Sequence, residues 1–189
     1  MPGDIIQGHI TDGGLTPNII HAYAAGVFVV RANTKARLEE LNKKVQKCFE
    51  AGAQATGAIL ELTPEMGYDD MMPNKVLGRL CRNAFNKLGG NILPPELDNL
   101  QGGTKASSDE GNVSYAMPSM MLGFRIESEE GNHNPKFSDA ARTMQAHGAA
   151  IRAAKAIAVT GLEILADKEL LEEAKKEFKE MLDNRDIKD

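Results

Sequence analysis

The sequence predicts a mixed α/β protein in two parts, and three observations carry that prediction. A strand, strand, helix, strand order opens the chain, a polar and methionine-bearing crossing follows at 64–73, and apolar segments then alternate with amphipathic helical patterns. We place the boundary so that residues 1–66 form the first part and 67–189 the second.

At 189 residues, 42% hydrophobic and net charge −5, the chain is long enough to bury a core. It carries no basic cluster that would point to nucleic acid. Met1 to Ile6 lacks the charged-then-apolar pattern of a signal peptide, and the apolar runs are short for a membrane span. The expectation is therefore a cytoplasmic protein with no membrane partner. Cys48 and Cys81 fall among apolar residues on helical patterns, which predicts two reduced core thiols.

Asp4 to Ile10 is β-branched and runs into Thr11-Asp12-Gly13-Gly14, a turn signal, so a strand and a turn are predicted. A second strand is predicted over Ile19 to Arg31, with Gly26 marking a bulge or a close backbone approach. Asn33-Thr34 can cap the next helix, in which Leu38, Leu41, Val45, Cys48 and Phe49 recur at helical spacing; Gly52 or Gly57 can stop it. Ala58 to Thr63 reads as a third strand. These elements make most of a small α+β sandwich, short of an edge strand and a helix, and an unpaired edge of that kind favours association.

A helix is predicted from Asn74 to Leu88, stopped by Gly89-Gly90, and a loop over Asn91 to Lys105. Val113 to Met117 and Met120 to Ile126 have strand length. Ser138-Asp139 can cap an alanine-rich helix, whose small side chains predict a buried element lying close to a sheet. Asp167 can cap a last helix with the stripe Leu170, Leu171, Ala174, Phe178, Met181 and Leu182, followed by a frayed tail over Asn184 to Asp189. There is no internal repeat.

The stretch Pro17 to Arg31 delivers Asn18 on a loop and Arg31 at a strand end. An amide and a planar guanidinium are what a carboxylate site needs, and a turn Asn with a solvent-facing Arg is the ordinary alternative. The four histidines, His9, His21, His133 and His147, stand in no metal-binding spacing, and HExxH, HxD and CxxC are absent. His133 occupies a polar loop before a helix, a position suited to a ligand as well as to a surface residue. Ser107 to Ser114 lacks a nucleophile elbow; Ser108 and Asp109 there can orient a ligand or form a plain turn. Gly102-Gly103-Thr104-Lys105 lacks the first glycine and the strand of a phosphate loop.

Thr11-Asp12-Gly13-Gly14, Pro17-Asn18-Ile19-Ile20, Arg31, Pro73-Asn74-Lys75, Ser108 to Tyr115 and Asn132-His133 appear in an order that resembles the zinc amidohydrolases of peptidase family M twenty. Within that family the chain looks most like the aminoacylase-1-like, aminobenzoyl-glutamate hydrolase and β-alanyl-lysine dipeptidase group. The resemblance implies an incomplete ferredoxin-like lid, or dimerisation, domain followed by the C-terminal half of an α/β catalytic domain. By resemblance Asn18 and Arg31 grip a substrate carboxylate and His133 is the last zinc ligand, while Ser108 and Asp109 stand as substrate contacts only on the reading of their polar loop given above. His21 stands where the family usually has Pro, and Glu110 where a neutral residue is common.

The implied activity is hydrolysis of the amide bond of N-acyl amino acids or dipeptides, with two zinc ions in the complete enzyme and a homodimer formed through the lid. The chain would supply the carboxylate grip and one zinc ligand, and would be inactive alone, because a catalytic zinc takes three protein ligands. A non-catalytic interaction paralogue and a zinc-free carboxylate-binding module are the alternatives.

Overall fold

The computed structural model describes residues 2–94 and 106–186. The chain divides into two compact units, Met1–Asp70 and Met71–Asp189. Among the described residues it is a mixed α/β structure with one two-stranded sheet and six helices.

In the first unit β1 (Ile5–Asp12) and β2 (Ala25–Arg31) pair antiparallel, with Ile5 opposite Arg31, Ile10 opposite Gly26 and an irregularity between Ile10 and Asp12. The close approach expected at Gly26 is present. A Cβ there would lie 2.9 Å from the Phe28 ring, and one on Gly8 would lie 2.3 Å from it, so the ring lies over bare backbone. Phe28 also meets Phe49 of α1 (Lys35–Thr56) edge-on, with ring centroids 4.9 Å apart. The Thr34 hydroxyl accepts the Arg37 N–H at 3.2 Å to start α1, and Gly57, at φ 72°, ends it. Gly52 stays helical. Cys48 is exposed, which corrects the expectation of a core thiol there.

Two strand expectations fail in this unit. Ile19 to Ala24 belong to the connection, so β2 begins at Ala25. Ala58 to Thr63 form no strand, because β1 and β2 pair with each other and no ladder partner for that segment exists among the described residues.

Both ends of this unit are tied to the start of α1. The Lys35 N–H donates to Asp70 Oδ1 at 2.8 Å and its Nζ to Asp69 Oδ2 at 2.7 Å, while Arg37 Nε and Nη2 donate to the Asp4 carboxylate at 3.1 and 2.5 Å. The Arg37 hydrogen bond is the main cause holding the Asp4 carboxyl well below the usual carboxylate range. A carboxyl lowered in the folded state binds fewer protons folded than unfolded, so its stabilisation is full above the unfolded value of about 4 and is lost as pH falls below it. Urea midpoints at pH 7 and pH 3 are expected to converge in Asp4→Asn relative to the parent; an unchanged difference would count against this clasp.

In the second unit α2 (Lys75–Lys87) has its first three N–H groups satisfied by side chains. Glu177 accepts from Lys75 and Val76 at 3.1 Å each, and Asn74 Oδ1 accepts from Leu77 at 3.0 Å. Its other end is a Schellman turn: the Gly89 N–H donates to Asn86 O and the Gly90 N–H to Phe85 O, both at 3.0 Å, with Gly89 at φ 81°. The core joins Cys81, Ala84 and Phe85 of α2 to Ala153 and Ala156 of a later helix, with Ile92, Met120 and Leu122 against them. Burial pushes the Cys81 thiol up from its ordinary value.

The two strands expected in this unit are not formed. Glu110–Ala116 is a helix, α3, in which Gly111 and Ser114 face inward; the Ser114 hydroxyl donates to Gly111 O at 2.6 Å and accepts the Met72 N–H at 2.9 Å. Met120 and Leu122 alternate onto the core as a strand would, yet no ladder partner lies among the described residues. The alanine-rich stretch is two helices, α4 (Pro135–Ala141) and α5 (Met144–Ala166), because Asn134 caps the first and the Thr143 hydroxyl caps the second. The Ser138-Asp139 cap is thereby corrected. Helix α5 buries Ala146, Ala153, Ala156 and Thr160 and packs on α2, with no sheet beneath it among the described residues.

Asp167 starts α6 (Lys168–Asp186), its carboxylate accepting from Glu169 at 2.9 Å and Leu170 at 3.2 Å. All six residues of the predicted stripe are buried or half-buried. The helix runs through Asn184, which the sequence assigned to the tail. The predicted loop at 91–105 is described only to residue 94; its remainder, with the stretch Gly102 to Lys105 and residues 187–189 of the tail, lies outside the described residues. Among the described residues no helix is long and apolar enough to cross a membrane.

Candidate functional site

Residues 13–24 leave the sheet after β1 and return as β2. The turn signal Gly13-Gly14 starts this connection, with Gly14 at φ 86°, a conformation that glycine adopts without strain. The Thr16 carbonyl accepts two hydrogen bonds, from the Ile19 N–H at 3.4 Å and from His21 Nε2 at 3.2 Å. Asn18 lies between the acceptor Thr16 and both donors in sequence and is exposed. Gly13, Gly14, Leu15, Thr16, Pro17, Ile19 and His21 line a shallow hollow on the inside of the turn.

Arg31 is the last residue of β2, opposite Ile5, and is half-buried. It therefore sits at the open end of the hairpin and Asn18 in the connection at the other. The seven residues of β2 span about 20 Å at the usual rise of ~3.3 Å per residue, so each residue works from its own end of the sheet.

The remaining candidates belong to the second unit. The Ser108 hydroxyl accepts the Glu110 N–H and donates to Asp109 Oδ1, both at 3.2 Å, and the Ser108 carbonyl accepts the Gly111 N–H at 3.1 Å. This network starts α3 and leaves the Asp109 carboxylate at the surface, with no capping bond of its own. His133 is exposed at φ 65°, the only non-glycine residue with positive φ among those described. That left-handed turn lets Asn134 cap α4 by accepting the Lys136 N–H at 3.0 Å.

Zinc chemistry requires a gathered ligand set. Among the described residues no group of three His, Cys, Asp or Glu side chains could hold a metal ion, so His133 does not stand in a metal site formed by them. His9 and His147 are both exposed, the first on β1 and the second on α5. The sequence reading missed the tasks of Asn74, which is fully buried and bonded at both ends of its amide, and of His21. The Asn before a helical run was the available signal for the first; nothing local signalled the second, because its partner is a backbone carbonyl.

No family model matches the chain. The Xaa-Arg dipeptidase of Mus musculus is 35% identical over 175 residues, and that of Homo sapiens 34% identical over 175 residues; each match takes in 92% of this chain and 40% of the relative. The chain thus spans 40% of the length of the curated relatives it matches. Identity of this extent supports a relationship to dipeptidases.

Proposed function

We propose that this chain serves a dipeptidase or amidohydrolase of peptidase family M twenty and supplies the part that holds the substrate's terminal carboxylate. The observation that carries this reading is the 35% identity over 92% of the chain to a protein named for cleaving Xaa-Arg dipeptides. In this reading residues of the first unit belong to a ferredoxin-like lid, and a dipeptide or N-acyl amino acid is the substrate.

The chemistry of the side chains supports these roles. Arg31 offers a planar fork of donors that matches a carboxylate, and the Asn18 amide, which both donates and accepts, is proposed as a contact to a substrate presented at the turn end of the hairpin, out of reach of the carboxylate that Arg31 holds. Fixing one end of the substrate is a means of presenting its amide bond in a single orientation. Ser108 and Asp109 are proposed as further substrate contacts, and His133 as one ligand of a metal whose other ligands are not gathered among the described residues.

Calorimetric titration of the chain with a dipeptide ending in Arg, in free-acid and C-terminally amidated forms, tests the reading. The free acid is expected to bind and the amide to bind at least tenfold more weakly, since a hydrogen bond to a charged group is worth ~1.5–3 kcal/mol. Arg31→Ala is expected to abolish the difference. Equal affinity for both forms would overturn the carboxylate assignment.

A further inference from the structure

We infer that His21 is the positioning residue of the Asn18 loop, closing the chain around Asn18 by donating from Nε2 to the Thr16 carbonyl. The functional consequence rests on the proposed role of Asn18 as a substrate contact; the closure itself rests on geometry alone.

Three observations converge on it. The first is that the Thr16 carbonyl, two residues before Asn18, collects two donors from after it, the Ile19 N–H at 3.4 Å and His21 Nε2 at 3.2 Å. A carbonyl only accepts, so the neutral imidazole must carry its proton on Nε2. The second is a seat made for the ring: a Cβ on Gly14 would lie 1.8 Å from Nε2, and Gly14 holds φ 86°, so both the space and the backbone angle call for glycine. The third is burial. From 11 to 24, His21 alone is half-buried while every other residue is exposed.

An exposed loop without such a tie samples many conformations, and ordering it on binding would weaken the substrate complex. His21 removes part of that cost by holding residues 16–21 as a ring from which the Asn18 side chain projects.

The test is NMR on the full chain with 15N-labelled histidine, combined with amide exchange. The neutral ring of His21 is expected to show the Nε2–H tautomer. His21→Ala and Gly14→Ala are each expected to speed exchange at the Ile19 amide about fivefold, the loss of one hydrogen bond, without moving the urea midpoint. His21→Gln, which places an amide N–H near the Nε2 position, is expected to restore the rate. An Nδ1–H tautomer, or parental exchange rates in both loop variants, would overturn the closure.

A dipeptide titration then separates the two readings. His21→Ala is expected to lower affinity about tenfold, with recovery in His21→Gln. Parental affinity in a loosened loop would overturn the positioning role. If the parent chain binds no dipeptide, the substrate reading fails while tautomer and exchange still decide the closure.

Discussion

Asn74→Ala is expected to destabilise the second unit by about 3 kcal/mol, read as a lower urea midpoint with an unchanged slope. Asn74 is 0% exposed, and its amide spans two helices: Oδ1 accepts the Leu77 N–H at 3.0 Å while Nδ2 donates to Ala174 O at 3.0 Å. Its own N–H donates to Ser119 O at 2.8 Å, a bond that alanine keeps. Truncation therefore removes a helix cap and a buried interhelical bond, and leaves a small void. Asn74→Asp is the informative control. It keeps the cap but sets a carboxylate oxygen against the Ala174 carbonyl, so it is expected to be no more stable than Asn74→Ala. An aspartate variant close to the parent would mean that the cap alone matters.

Phe85→Ala is expected to cost about 4 kcal/mol, the larger of the two effects. Phe85 is 7% exposed and joins α2 to Ala153 and Ala156 in a core otherwise built from small residues. The chain turns tightly over the ring: a Cβ on Gly90 would lie 2.1 Å from it. Alanines cannot collapse into the space that a lost ring leaves, so the cavity persists and the loss is expected to be near the full value. Phe85→Leu, which refills part of the volume, is expected to cost less than half as much; equal losses in the two variants would show that the ring's packing is not what holds α2 to α5.

The candidate site was legible in the sequence to the extent that its parts are local. The Gly13-Gly14 turn, the Asn18 loop and the strand ending at Arg31 follow from turn chemistry and strand propensity, and they stand in the structure where those rules put them. His21 was not legible as a positioning residue, because its partner is the Thr16 carbonyl and its seat is an absent Cβ on Gly14. Neither leaves a pattern in a residue string.

The sequence by itself determined α1, α2 and α6, the caps at Thr34 and Asp167, the glycine stops at Gly57 and Gly89, and the apolar stripe of α6. Each depends on contacts within a turn or two of the chain, where residue type alone sets the energetics. Tertiary structure decided the rest. Ala58 to Thr63 and Met120 to Ile126 have strand composition but no ladder partner among the described residues, and Val113 to Met117 turned mostly helical once the Ser108 network and the buried Ser114 hydroxyl fixed α3. A strand exists only when a second chain segment satisfies its backbone groups, whereas a helix satisfies its own.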